Sequence, residues 1–564
     1  MHPLKFWSLK GFRAIRDETR LNLGDLNVLV GANSAGKSSV LHSILMTAQT
    51  LATPTADRAL VLNGSLVRLG LPNDCVHEQT ADEISIGFGL DPSQPKFARP
   101  ALREAGRVEV EAHFDIQRAD PANFGLAESK LTAHLKDAAD QAYVATKRRP
   151  ASDAKKTLME AGANEETATE LSEKIGMGVL GDVSKQTVGV YARQFLPDTL
   201  AVLANAYKRE LNEIVRMMRP RLDEPLYGRV RNKRSTLSEP VASFLHRFLT
   251  GNVAGEFLKD LPPASELTPE HLSSLPEVAR NSLAKLHQTS WFDDHSPELS
   301  FQGELEQQLM LGVLDSGVDF VRAWFSEAVH HLGPLRAEPQ PLYSLPEAAS
   351  GTSVGRSGEY TAAVLSTYGK RRVSVPMPNG RTETVSLGHA VDRWMAELGL
   401  LAAVRPRESG KFGYELNVNV EGVEKSLDLT TVGVGVSQAL PVVVLGLIAE
   451  SGSLLLFEQP ELHLHPNVQA ALGDFFLALA RSGRQIILET HSEYLINRLR
   501  RRQVTDEEPD AARLVRLFFF ERAGATTDVM PAEIGADGSM PAWPQGFLDT
   551  AAREVQAMVL KESD

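Results

Sequence analysis

The chain has 564 residues and carries 59 Lys and Arg against 72 Asp and Glu, a formal net charge of −13. That balance excludes a protein that coats itself with nucleic acid through overall basic charge, and no run of about 18 apolar residues offers a membrane span. Cys75 is the only cysteine, which excludes an intramolecular disulfide and speaks against a cysteine-based metal site. With 43% hydrophobic and 23% charged residues the composition is that of a globular protein long enough for several domains. The first residues lack the basic-then-apolar layout of a secretory signal, so a reducing cytoplasm is the expected location.

In chain order, apolar groups at Leu4, Phe6 and Leu9 and at Leu21 and Leu23 predict two strands, and 26–30 reads as a short buried strand. Next comes Gly31-Ala-Asn-Ser-Ala-Gly-Lys-Ser38, which fits G-x-x-x-x-G-K-[ST] at every fixed position. Val40, Leu41, Ile44 and Leu45 then show helical spacing, so the motif sits between strand and helix, the context it requires. The glycines let successive N–H groups and a helix's positive end face an anion. Gly31, Asn33, Ser34, Ala35, Gly36, Lys37, Ser38 and Ser39 are the expected nucleotide contacts, with Lys37 on the β and γ phosphates of ATP and the Ser38 hydroxyl on Mg²⁺. The helix is expected to end by Pro54, and period-two alternation over 84–90 and 108–116 predicts antiparallel strands beside the nucleotide-binding sheet.

From about 120 to 325 helix formers dominate. Leu200, Leu203, Tyr207, Leu211, Ile214 and Met218 predict one face of an amphipathic helix in a compact insertion. Around 331–365 lie His331-Leu-Gly-Pro-Leu-Arg336 and Val354-Gly-Arg-Ser-Gly-Glu-Tyr360, where Arg336 and Arg356 suit either a phosphate or a partner subunit. Three basic clusters, Lys147-Arg148-Arg149 with Lys155-Lys156, Arg229 to Arg234, and Arg498 to Arg502, leave room for a DNA-contacting stripe.

The apolar strand 453–457 ends at Glu458-Gln459-Pro460-Glu461, where carboxylates are placed to hold a Mg²⁺ shell and orient a water. A helix over 467–480 and a third apolar strand, 485–488, follow, and the strand leads to His491 at the sheet edge where α/β proteins bind ligands. His463, His465 and His491 are conceivable metal ligands, though nothing in their spacing favours it. Upstream, Gly433, Gly435, Ser437 and Gln438 precede an apolar helix and form a second potential anion site. One terminal phosphate does not need two such loops from one chain, which suggests a dimer.

This set resembles the ABC-type ATPase heads of the RecF/SMC and OLD group, in particular the prokaryotic AAA-type ATPases of anti-phage defence operons such as Septu and Gabija. The resemblance is carried by Gly31 to Ser38, Val432 to Gln438, Leu454 to Glu461 with Leu462 to Pro466, and His491. Asp537-Gly538 and Trp543 to Phe547 resemble a short extension that closes one branch of the group. It implies an α/β fold with a mixed sheet and an antiparallel layer, interrupted by a mainly helical insertion. The expected boundaries are 1–118 and 326–503 for the two ATPase lobes, 119–325 for the insertion and 504–564 for a C-terminal extension.

The resemblance further implies head-to-tail dimers around two ATP molecules, with Ser437 of one copy meeting the phosphate held by Lys37 of the other and His491 sensing it in cis. Where relatives carry Asp-Glu this chain has Glu458-Gln459. Glu458 can take over Mg²⁺ duty through water, but the Gln459 amide cannot accept a proton, so either Glu461 substitutes or turnover is slow. The leading expectation is a sensor or scaffold ATPase that controls a separate effector, a nuclease or toxin, in anti-phage defence. The alternative is a RecF/SMC-like clamp that closes on DNA, recognised by salt-sensitive, ATP-dependent DNA binding. A membrane transporter's ATPase subunit is disfavoured by the large insertion and the His-Leu-His-Pro segment.

Overall fold

Three runs, 26–31, 454–458 and 485–489, are buried along their whole length, which requires a sheet covered on both faces. The computed structural model describes residues 2–53, 58–79, 83–93, 97, 102, 105–116, 122–135, 141–147, 155–156, 187–205, 210, 214, 237–253, 255–285, 303–309, 313–343, 352–420, 422–423, 425–506 and 509–541. The chain divides into two units, one of Met1–Val144, Ala192–Pro197 and Leu311–Asp564, the other of Ala145–Tyr191 and Asp198–Met310.

The strands of the two large sheets are β1 (Leu4–Lys10), β2 (Thr19–Asn22), β3 (Leu26–Gly31), β4 (Glu83–Leu90), β5 (Ala105–Ile116), β6 (Phe124–Leu135), β7 (Gln141–Lys147), β8 (Val329–Leu332), β9 (Leu454–Glu458), β10 (Gln485–Glu489), β11 (Val515–Ala523) and β12 (Thr526–Ala532). The helices used below are α1 (Lys37–Ala52), α2 (Val313–Glu327), α3 (Val434–Ile448), α4 (Pro466–Arg481) and α5 (Glu493–Thr505). One sheet runs β8-β9-β10-β3-β11-β12, parallel except for the last pair. The other runs β2-β1-β4-β5-β6-β7 and is antiparallel. The expected α/β P-loop ATPase head, a mixed sheet with an antiparallel layer, is therefore present.

Two buried amides fasten the sheets. Gln485 on β10 donates through Nε2 to the carbonyls of Leu4 and Gly24 at 2.7 and 2.9 Å, and its Oε1 accepts from Leu4 N–H at 2.9 Å. Asn27 on β3 accepts from Gly24 N–H at 2.7 Å and donates to the carbonyls of Gly24 and Ile486 at 3.0 Å. Both are fully buried, so Gln485→Leu would take the side-chain partner from the Leu4 N–H and the Leu4 carbonyl, while the Gly24 carbonyl keeps Asn27. The substitution is expected to cost about 3 kcal/mol, read as a lowered denaturation midpoint of the head. An aromatic group does the rest. Trp7 stacks on Phe88 at 5.5 Å, Phe325 of α2 meets Phe88 edge-on at 4.9 Å, and Trp7 Nε1 donates to Ser43 Oγ on α1 at 2.9 Å. The antiparallel sheet is thus tied to the helix that follows the phosphate loop.

In the other unit, helices Glu239–Asn252, Pro269–Ser273 and Glu277–Lys285 enclose an apolar cluster that includes Ile214. Strands are present as well. Leu200 and Leu203, expected on a helix face, lie in the strand Leu196–Asn205, which pairs antiparallel with Gly303–Leu309. Apolar groups three apart suit a helix face and fall on opposite faces of a strand, so local spacing favoured the helix and long-range strand pairing overrode it. Tyr207, Leu211 and Met218 of the same expected helix lie outside the described residues. The expected end of alternation near 120 is also corrected, since β6 extends the antiparallel sheet to Leu135.

Of the basic clusters, Arg498 and Arg502 share Asp474 at 2.5 and 2.6 Å, and Arg502 also meets Asp506 at 3.2 Å. Arg148, Arg149 and Arg229 to Arg234 lie outside the described residues, as do Trp543 to Phe547. No helix among the described residues is long and apolar enough to cross a membrane.

Candidate functional site

The phosphate loop leaves the carboxyl end of β3 and enters α1, as its spacing predicts. Gly31 has φ 146°, and a Cβ there would stand 2.2 Å from the Phe520 carbonyl on β11, so only glycine lets the loop turn this close to the neighbouring strand. Ala32, Asn33 and Ser34 form an exposed tip, while Ala35, Gly36 and Ser39 are buried below it. Gly36 caps α1 without a side chain, and no acidic residue occupies the first turn. The helix thereby keeps its positive end for an external anion.

Lys37 is buried, and its Nζ folds back to donate to the carbonyls of Gly31 at 3.1 Å and Ala32 at 2.8 Å. Its nearest countercharge is Glu489, 4.0 Å away at the end of β10. Burial lowers the Lys37 ammonium, and Glu489 and Glu461 offset part of that. The Ser38 hydroxyl donates to the other Glu489 oxygen at 2.8 Å. The carboxylate that touches the phosphate loop is therefore Glu489, to which sequence reading gave no role. Its signal was present: a strand of the motif sheet ending in an acid, two residues before His491.

Glu458 stands level with Glu489 across the β9–β10 pair but faces the other way chemically. His331 Nε2 lies 2.7 Å from its Oε1, both side chains being buried. Burial would raise the Glu458 carboxyl, yet the His331 contact and surrounding positive charge hold it below the usual carboxylate value. Gln459 adopts φ 43°, and its N–H donates to the Glu489 carbonyl at 2.8 Å. Glu461 accepts the His491 N–H on Oε1 at 2.6 Å, while its buried Oε2 and the buried His491 Nε2 have no hydrogen-bond partner. Burial raises the Glu461 carboxyl and lowers the His491 imidazole.

Arg336 follows β8 and is also buried. Its Nη2 points to the Glu458 carbonyl at 3.4 Å, and Nε and Nη1 have no partner. Burial pulls it down to about 10, with Glu458 and Glu461 opposing, so it remains a cation at neutral pH. A further residue missed in the sequence is His42 on α1, whose Nδ1 lies 2.7 Å from Arg13 Nη1. Burial lowers that imidazole to about 4, so it is neutral and accepts from Arg13.

Gly433, Gly435, Ser437 and Gln438 open α3. Gly433 caps the helix without a side chain, the first turn holds no acid, and Ser437 Oγ donates to the Val434 carbonyl at 2.8 Å. Among the described residues no hydrogen bond or ion pair joins 432–438 to 31–39. Of the histidines considered as metal ligands, His465 caps α4 by accepting from Asn467 N–H at 3.3 Å, and His463 sits exposed in a turn with φ 61°.

Residues 397–496 match the family AAA ATPase domain. That stretch includes the α3 entry, Glu458 to Glu461 and His491, and the phosphate loop joins it through the β3–β10 pair. No curated protein matches the chain. Among solved structures it is similar to SMC head domains. One is bound to the C-winged helix domain of ScpA, at 9% identity over 94% of this chain and 98% of that one, with a TM-score of 0.36. Another carries an extended coiled coil and is bound to the C-terminal domain of ScpA derived from Pyrococcus furiosus, at 11% identity over 99% and 100%, TM-score 0.35. A third is from Thermotoga maritima, at 8% over 94% and 100%, TM-score 0.33.

Proposed function

We propose that this chain binds and hydrolyses ATP as an ABC-type ATPase, two copies closing head to tail around two ATP molecules. The observation that supports the reading is that one chain has two helix starts with neither side-chain cap nor first-turn acid, α1 with Lys37 and α3 with Ser437, and that no hydrogen bond or ion pair joins them among the described residues. ATP seated on the first of one copy offers its terminal phosphate to the second of another, so the nucleotide acts as interfacial glue. Lys37 exchanges its carbonyl contacts for phosphate oxygens, and Ser38 and Glu489 stand where Mg²⁺ would be held together with them. Among the described residues no group of three His, Cys, Asp or Glu could hold a metal ion alone, which suits an ion carried in by the nucleotide. Mg²⁺ there would neutralise charge on the phosphates.

Glu461 is the proton acceptor in this scheme. Its Oε2 is unpartnered and burial raises its carboxyl, the direction that makes a carboxylate a better base. Water attacks the terminal phosphorus, its proton passes to Glu461, and ADP leaves. Gln459, at the position relatives use for this task, contributes only an amide, so turnover is slow and the closed dimer long-lived. Gln459→Glu is therefore expected to raise steady-state phosphate release about tenfold. Rapid turnover by the wild type together with no gain in the variant would contradict this.

At the biological level the motif resemblance supports a sensor or scaffold subunit of an anti-phage defence system, acting on a separate effector. In the clamp alternative Arg498 and Arg502, which share the single Asp474, would have to turn to the phosphate backbone. Tight DNA binding that needs ATP and weakens steeply with salt would restore it.

A further inference from the structure

A cavity of about 470 Å³ opens beside the start of α3. Arg336, Thr430, Gln438 and His463 are among its lining residues, with Leu335 and Val434 at its rim. Four features of it are unexplained by this chain alone. Arg336 is 8% exposed and leaves Nε and Nη1 without partners, a buried cation with unused donors. Leu335 and Val434 are 76% and 54% exposed, large apolar groups flanking that cation. The first turn of α3 has neither a side-chain cap nor an acid. Gly433 has an ordinary φ of −59°, and a Cβ there would meet nothing within 4 Å among the described residues. Neither backbone conformation nor packing asks for glycine at 433, whereas a backbone or phosphate arriving from outside does. Glu338 also lines the cavity, but it is exposed and can turn into water.

We infer that Arg336 and the start of α3 form a single anion site for the terminal phosphate of a nucleotide held by a second copy of this chain, with Leu335 and Val434 covered by that copy. This rests on the shared-site reading and adds a residue to it. The guanidinium supplies two free donors, in the planar geometry that suits phosphate oxygens, and α3 adds its free N–H groups. The occupant is a second copy rather than a free anion, because the cation's rim is apolar and exposed. Arg336 also donates to the carbonyl of Glu458 and feels the charges of Glu458 and Glu461, so the same side chain links the partner's phosphate to its own carboxylates.

The test is complementation between two defective copies. Arg336→Gln is expected to bind ATP on its own loop as the wild type does, to melt at the wild-type temperature, and to hydrolyse about tenfold more slowly. Arg336→Lys serves as the second variant should the glutamine disturb folding. Lys37→Ala alone is inactive. A mixture of Arg336→Gln and Lys37→Ala forms one dimer interface with an intact lysine facing an intact arginine, so phosphate release should exceed the sum of the separate proteins severalfold. The control mixes Ser437→Arg with Lys37→Ala. Gain in the control without gain in the Arg336 mixture would overturn the role of Arg336 and leave the shared site standing. No gain in either mixture would overturn the shared site and this inference with it. A loss of ATP affinity by the Arg336→Gln monomer would place the arginine on its own nucleotide and refute the inference directly.

Discussion

Lys37→Ala is expected to abolish ATP binding, with affinity falling by about 100-fold or more, as read by titration of a fluorescent ATP analogue. Two effects add. The ammonium that would meet the terminal phosphates is removed, and Glu489 is left buried with its cation gone. Removing one partner of a buried ion pair costs about 3–5 kcal/mol in general, and here the anion left behind faces the incoming phosphates. Lys37→Arg should not rescue binding, because a planar guanidinium cannot reproduce the compact ammonium that the Gly31 and Ala32 carbonyls hold. Wild-type affinity in Lys37→Ala would mean that the nucleotide sits elsewhere.

Glu461→Gln is expected to lower turnover about 100-fold while leaving ATP affinity within a few-fold of wild type. The substitution is nearly isosteric. A glutamine oxygen can still accept the His491 N–H, now held by Oε1 at 2.6 Å, so the loop should keep its shape. Only the unpartnered oxygen, the one able to take a proton, becomes an amide. The loss should appear in kcat and in single-turnover phosphate release. Combining Glu461→Gln with Gln459→Glu should recover activity, since the proton acceptor then returns at the neighbouring position. Unchanged turnover in the single variant would remove Glu461 from the chemistry.

Much of the head was legible in the sequence because its central strands announce themselves. The runs at 26–31, 454–458 and 485–489 are mostly apolar, end in glycine or acid, and are each followed by a helix signal. The phosphate loop, the α3 entry and the Glu458 to Glu461 turn were legible for the same reason, since each has fixed residues at fixed spacing. Two things were not. The insertion's strand read as helix because Leu200 and Leu203 have helical spacing, and the partner that overrides it, Gly303–Leu309, is far away in sequence. The identity of the carboxylate on Ser38 was hidden as well. Glu458 and Glu489 are register neighbours on adjacent parallel strands, and which one meets Ser38 depends on β10, not β9, lying against β3. Strand order of that kind has no local signature. Arg336 was legible as an arginine suited to a phosphate or a partner subunit, but its burial with idle donors is a property of packing.

The most direct test is the mass of the protein in solution, by light scattering or sedimentation, with and without ATP and Mg²⁺. A nucleotide shared between copies predicts a monomer without ATP, a dimer when ATP is saturating, and a monomer under both conditions for Lys37→Ala and for Ser437→Arg. A wild-type chain that binds ATP to saturation at Lys37 and remains a monomer at concentrations far above its nucleotide affinity would contradict it.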